Sequence, residues 1–280
     1  MRPHNPKATA FIRKWHKCMA IGCSHGDLAY PERLNEVIAF RERFKPEIRF
    51  DLGDLMDTAA FRSGARGTKD ESQPIGPDNL AAVEWMRRYE PTHITWGNHD
   101  WRLVEWQGHQ NEALSFAASI VWGTLQDEVK RLQAWQTPYH ITKNWIQMGG
   151  YFWGHGTMFG ENALRDHAEM LGGPVVHAHT HRAETVHGRT KHDSTSFSVG
   201  TLADVNKMKY ADRQRSKTRW GAGVVFGEMC GTESTLWLAR NKTSDEVEVP
   251  YTELIKPPTG ADGWQTQDRK ANPIIFPPGC

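Results

Sequence analysis

The feature that most limits what this chain can fold into is a series of five short polar motifs, each set at the end of an apolar stretch. In order they are Cys23-Ser24-His25, Gly53-Asp54-Leu55-Met56-Asp57, Gly97-Asn98-His99-Asp100, Gly154-His155-Gly156 and His177-Ala178-His179-Thr180-His181. The stretches that lead into them (18–23, 48–52, 93–96, 151–153 and 174–178) are short and apolar and read as strands. In open α/β sheets ligands gather at the carboxyl ends of strands, so loops from separate strands can meet at one site. Glycines beside the polar residues permit sharp turns and close backbone approach. Any one of these pieces says little, because Gly-Asp after a strand is most often a turn and His-x-His is often structural. Five in series, all built from metal-ligand residue types, make coincidence a poor account.

Between the motifs, residues 31–44 have the spacing of an amphipathic helix, with Leu34, Val37, Ile38 and Phe40 apolar. Residues 58–79 carry Gly64, Gly67, Pro74, Gly76 and Pro77 and read as a long loop, a feature usually functional or disordered in a compact domain. A helix is expected over 78–88 with Asp78 as its N-cap. The longest helix is expected from 111 to about 136, and a hairpin around Gly149-Gly150 from 141–147 and 151–153. A short helix over 162–171 and strands over 194–199, 222–226 and 234–238 complete the pattern. Early β/α alternation followed by hairpins predicts a layered α/β/β/α sandwich, two mixed β-sheets flanked by helices. One domain is expected over 1–250, with a loose lead-in over 1–16 and a Pro/Gly-rich arm over 251–280.

Lys+Arg number 34 and Asp+Glu 33, so no whole-molecule field steers the chain toward nucleic acid or membrane. No apolar run approaches the length of a membrane span. Cys18, Cys23, Cys230 and Cys280 show no paired spacing, and the polar start Met1-Arg2-Pro3-His4 lacks the apolar core of a signal peptide. A reducing cytoplasm is the expected setting.

The five motifs resemble those of the calcineurin-like metallophosphoesterase superfamily, whose pattern runs DxH, GDxxD, GNH[DE], a glycine-flanked His and GHxH. The resemblance spans roughly residues 17–200, with Cys23 in place of the first Asp and Ala178 in place of the last Gly. It implies two divalent metal ions. One would be held by Cys23, His25, Asp54 and His181, the other by Asp54, Asn98, His155 and His179, with Asp54 bridging. Such donors suit Mn, Zn, Fe or Co, and a bridging carboxylate fits the about 3.5–4 Å metal spacing of two-metal hydrolases. The resemblance further implies a metal-activated hydroxide attacking phosphorus, His99 as general acid and Asp57 as the carboxylate that orients it. For Asp100, helix capping and a catalytic part stand equal.

Three readings compete for Cys23: a thiolate ligand, a bystander that leaves the first ion more water, or a gap filled by Asp27. The first is favoured, and its soft donor biases that position toward Zn or Fe. Arg62 and Arg66, on the long loop with Lys69, are candidate phosphate clamps. Residues 205–220 carry six Lys/Arg against one Asp, interleaved with Tyr210 and Trp220, which suits nucleic acid or simply a solvated face. Trp96, Trp101 and Trp106 either line the cleft, fill the core or brace a subunit contact. The leading expectation is a phosphodiesterase or nuclease, the second a phosphomonoesterase on a small molecule or phosphoprotein. A non-catalytic binding or assembly module is third; only Cys23 supports it, and the presence of every other ligand and of His99 and Asp57 argues against it.

Overall fold

A computed structural model describes residues 14–188, 195–208, 215–241 and 247–248. β1 (His16–Ile21), β2 (Ile48–Asp51), β3 (His93–Thr95) and β4 (Trp135–Thr137) pair in parallel, in that order. β10 (Gly223–Cys230), β11 (Glu233–Asn241) and β12 (Val247–Glu248) extend this sheet antiparallel from β1, making seven strands. A second, five-stranded sheet has the order β5 (Ile146–Met148), β6 (Tyr151–Gly154), β7 (Val175–His177), β9 (Ser196–Val199), β8 (Ala183–Val186). In it β6, β7 and β9 run parallel, with antiparallel edges. Both sheets are mixed, as expected.

Burial on both faces explains why β1 reads as one apolar run. Cys18 and Ala20 join the inter-sheet core with Phe50, Trp153, Val176 and Phe197, and the Phe50 and Trp153 rings stack at 4.3 Å. On the other face of the large sheet, Phe40 of α1 (Pro31–Phe44) meets Phe226 edge-on at 5.1 Å. α5 (Ala163–Leu171) covers the small sheet through Leu164, packed with Trp145 and Val175.

Several boundaries differ from expectation. The loop after β2 holds two 3-10 turns, at Ala59–Phe61 and Lys69–Ser72, and ends at Pro74. α2 (Ile75–Tyr89) therefore starts one turn before Asp78, which is a buried residue of its first turn and not its cap. An unexpected helix, α3 (Asn98–Trp106), begins inside the third polar motif. α4 (Glu112–Leu132) is capped by Asn111, whose side chain accepts from Ala113 N and Leu114 N. It stops short of 136 because Gln133 turns left-handed (φ 52°) and β4 follows. β8 is also additional to the expected strands. Trp96 is 1% exposed and packs on Trp122, while Trp106 packs on Phe61 and His109. Trp101 meets Trp122 edge-on, so all three tryptophans pack against neighbouring aromatic rings. No helix among the described residues is long and apolar enough to cross a membrane. Residues 251–280, 1–13 and 209–214 lie outside the described residues, so the expected arm, most of the lead-in and Tyr210 do too.

Candidate metal centre

β1, β2 and β3 run parallel and release their loops at one edge of the large sheet, and β6 and β7 do the same from the small sheet. Backbone bonds fasten these loops together. Cys23 N donates to Gly53 O (2.8 Å), His25 N to Asp54 O (2.9 Å) and Ala178 N to His155 O (3.1 Å). Gly97 is required by closeness, since a Cβ there would strike the Asp54 carboxylate. Between the two sheets Asn144, fully buried, donates to Trp96 O and Pro138 O at 2.9 Å each and accepts from His155 N (2.6 Å) and Gly156 N (3.3 Å).

Cys23, His25, Asp54, His179 and His181 all have left-handed backbone, with φ between 53° and 63°. None is glycine, and such conformations cost about 1–3 kcal/mol each, so they persist only where the surroundings over-determine them. Their coincidence with the polar motifs marks a site built against local preference.

The side chains form two groups sharing Asp54. Cys23, His25, Asp54 and His181 offer donor atoms that all lie within 4.8 Å of one another, and all four residues are buried. The Nε2 atoms of His25 and His181 face each other at 3.0 Å. In the second group Asp54, His155 and His179 are likewise within 4.8 Å, and His155 Nε2 lies 3.2 Å from both His179 Nδ1 and Asn98 Oδ1. Asp54 Oδ2 stands between the groups, 3.3 Å from His155 Nε2 and 3.8 Å from His25 Nε2. Its Oδ1 accepts from His99 N at 2.9 Å.

Electrostatics favour a cation here. Burial opposes the charge on Asp54, but His155, His99 and His25 outweigh it and hold the carboxyl well below its usual range. Burial, with His155 adding its repulsion, depresses His179 to about 3, and burial with His25 holds His181 well below the usual imidazole range. Both rings are therefore neutral near pH 7, with nitrogen lone pairs turned toward each group. Burial and then Asp54 raise the Cys23 thiol, which a bound metal would reverse. Imidazole nitrogens, an ionised carboxylate, an amide oxygen and a thiol sharing small spaces fit divalent ions.

His99 sits beside these groups. Its Nδ1 is 2.7 Å from Asp57 O and 3.2 Å from Asp57 Oδ1, the same oxygen that lies 3.1 Å from His25 Nδ1. Those two imidazoles hold Asp57 ionised despite its burial. Arg102 donates to Asp57 O at 2.9 Å and lies 3.2 Å from His99 Nδ1. Asp78 accepts from Asp57 N (3.1 Å) and Thr58 N (2.8 Å). Asp100 caps α3 and accepts from Met56 N and Gly97 N, both at 3.0 Å, so its capping part is the one seen.

Other candidates stand apart. Arg62 pairs with Asp70 at 2.5 Å and Arg66 is exposed, so neither is in the cluster. Asp27 is not among the donors; it lines a cavity of about 150 Å³ with Asp57, Asp78, Lys69 and Lys207. His177 is buried against His167 of α5, outside both groups. Of the basic stretch, Trp220 reaches the centre, its ring edge-on to His181 at 4.5 Å. Asn144 and Arg102 were not singled out by sequence, and Asp78 only as a helix cap. Arg102 carried a signal, three residues after His99 on a helix; the other two meet partners set by tertiary contact.

No curated protein sequence matches the chain. Its fold is similar to that of a Vps29 mutant from Entamoeba histolytica, at 13% identity over 82% of this chain and 94% of the other, TM-score 0.42. It is similar also to a putative diadenosine tetraphosphatase, at 15% identity over 81% and 94%, TM-score 0.41. A third is YfcE, a phosphoesterase from E. coli, at 14% identity over 82% and 100%, TM-score 0.35. Residues 16–197 match the family model for calcineurin-like phosphoesterases. With that match over more than half its length, the chain belongs to the calcineurin-like phosphoesterase family, whose members are metal-dependent.

Proposed function

We propose that this protein is a two-metal phosphodiesterase. The observation that carries the reading is Asp54: one carboxylate oxygen shared by two donor groups, as a bridging ligand requires. Cys23, His25, Asp54 and His181 would hold one ion, and Asp54, Asn98, His155 and His179 the other. Mn, Zn and Fe are the metals these donors favour, with the Cys23 sulfur drawing Zn or Fe to the first position. Membership of its Sγ in the buried donor group supports ligation over the Asp27 alternative. When bound, such ions lower the pKa of a water and neutralise charge on phosphoryl oxygens.

The chain's own part is placement and proton transfer. The Nδ1–H of His99 donates to Asp57 O, which leaves Nε2 to deliver a proton to the leaving oxygen. Asp57 faces both His99 and His25 with one carboxylate oxygen and fixes the His99 ring. Arg102 and Asp78 hold the Asp57 backbone from either side.

A diester is favoured over a monoester by charge. Arg102 and Arg182, next to the cluster, are engaged with Asp57 O and with Gly160 O and Glu184, and Arg219, beside Trp220 in sequence, pairs with Glu161. A dianionic monoester would call on such cations, whereas a monoanionic diester needs less. The test is metal analysis joined to a panel of mono- and bis-aryl phosphates. Two metal equivalents with faster diester turnover are expected. One equivalent, or a monoesterase, would overturn the reading, and turnover of neither would favour a binding module.

A further inference from the structure

The loop from β6 to α5 is fastened at four points. Thr157 N and Met158 N donate to His167 Nε2 at 2.9 and 3.2 Å. Gly160 O accepts from Arg182 at 2.8 Å, and Glu161 pairs with Arg219 at 2.6 Å. Phe159 lies among these anchors, yet it is 83% exposed, more than any other large apolar side chain described. A scattered apolar side chain on a surface needs no special account. One that a fastened loop holds outward beside the catalytic cluster is different, because the loop is not free to fold it away.

The anchors fix where this ring stands. Arg182 directly follows His181, Arg219 directly precedes Trp220, and the Trp220 ring meets His181 edge-on. His155 lies four residues upstream of Phe159. These anchors tie the loop that carries Phe159 to the residues next to His181 and Trp220, and its other end leaves from His155. Met158 before it is half-buried with its backbone N on His167, and Gly160, Glu161 and Asn162 after it are exposed and carry no further large apolar side chain. An acyl chain or apolar peptide needs a wider patch than one ring. A planar group with an aromatic face and polar edges fits a lone exposed ring among polar neighbours.

We propose that Phe159 is a stacking platform for a nucleobase carried by the phosphodiester, so that the substrate is a nucleotidyl ester. This rests on the phosphodiesterase reading above. Every base has a π-face, so such a platform selects nucleotides without reading their sequence. The base comes either from a small nucleotide ester or from a single strand, and both present the same face to Phe159.

The test uses two diesters with one leaving group, the nitrophenyl ester of thymidine monophosphate and methyl nitrophenyl phosphate. Wild type is expected to prefer the nucleoside ester. Phe159→Ala should lower kcat/KM for that ester by about 5- to 150-fold, the value of one stacked base, and leave the methyl ester and bound metal unchanged. Phe159→Trp should restore the preference. A second readout without turnover is binding of oligothymidylate and of thymidine monophosphate to the metal-loaded protein by calorimetry. Tighter Phe159-dependent binding of the oligomer identifies a strand, and equal binding a small nucleotide. Equal losses on both diesters, no loss on either, or a change of oligomeric state in Phe159→Ala would overturn the platform. If neither diester is turned over but oligothymidylate binding still depends on Phe159, the phosphodiesterase reading falls and the platform stands.

Discussion

The two donor groups that share Asp54 differ in enclosure and in chemistry. Cys23, His25 and His181 are buried and bring sulfur and nitrogen. Asn98 and His179 in the other group are partly exposed, and the group brings only oxygen and nitrogen. An ion in the first would lose most of its water and be selected by the soft thiolate. An ion in the second would keep room for water and for substrate. On the proposed reading the centre would pair a selective position with an accessible one, joined through a single carboxylate.

Breaking the joint should have the largest effect. Asp54→Ala is expected to lose both metal equivalents and all measurable turnover, read by metal analysis and by rate. If one equivalent survives, the two groups are independent. His99→Ala should lower kcat by about 10²–10⁴-fold while metal content stays nearly unchanged. Loss of metal alongside rate would make His99 a ligand instead.

Cys23→Asp sharpens the contrast between the positions. It should shift the first ion from Zn toward Mn by about tenfold in relative affinity, with activity retained and the second ion unaffected. No change would make Cys23 a bystander. Asn144→Leu tests the staple between the sheets. It strands His155 N, Gly156 N and two carbonyls, and it should cost about 2–4 kcal/mol in denaturant unfolding. An unchanged midpoint would show that water takes over its bonds.

The smallest effect is expected behind the centre, at Asp51. Burial raises its carboxyl to about 8, although Gly53 N and Trp85 Nε1 donate to it. The folded state keeps a proton that the unfolded chain releases near pH 4, so this group's stabilisation is full below about pH 4 and fades as pH rises to about 8. In metal-free protein, Asp51→Asn should flatten that decline, read as the slope of Tm against pH. A slope that persists would place the titration elsewhere.

Much of this was legible along the chain. β1 and β2 read clearly because both faces are covered, and α1 because its apolar stripe is regular. α3 did not, since Asn98-His99-Asp100 resembles a turn and only the Gly97/Asp100 capping pair signals a helix. β4 was hidden because Trp135 continues the helical spacing of α4 past a left-handed glutamine. β8 sits on a sheet edge and is only partly buried, so it lacks an apolar run. The donor residues stood out because each motif is local. Asn144 and Asp78 did not, because their partners lie 6 to 48 and 20 to 21 residues away, most of them on other elements.

By itself the sequence determined the donor types, their order and their positions at strand ends, because ligand chemistry and strand pattern are both short-range. It determined the departure at Cys23 as well. Only the tertiary structure decided that five loops from two sheets meet around one carboxylate and that sulfur belongs to the enclosed group. It also decided that Phe159 is held outward to solvent while Trp96 packs into the core. Those outcomes depend on which strands pair and how the sheets stack, and pairing is set by burial summed over the whole molecule.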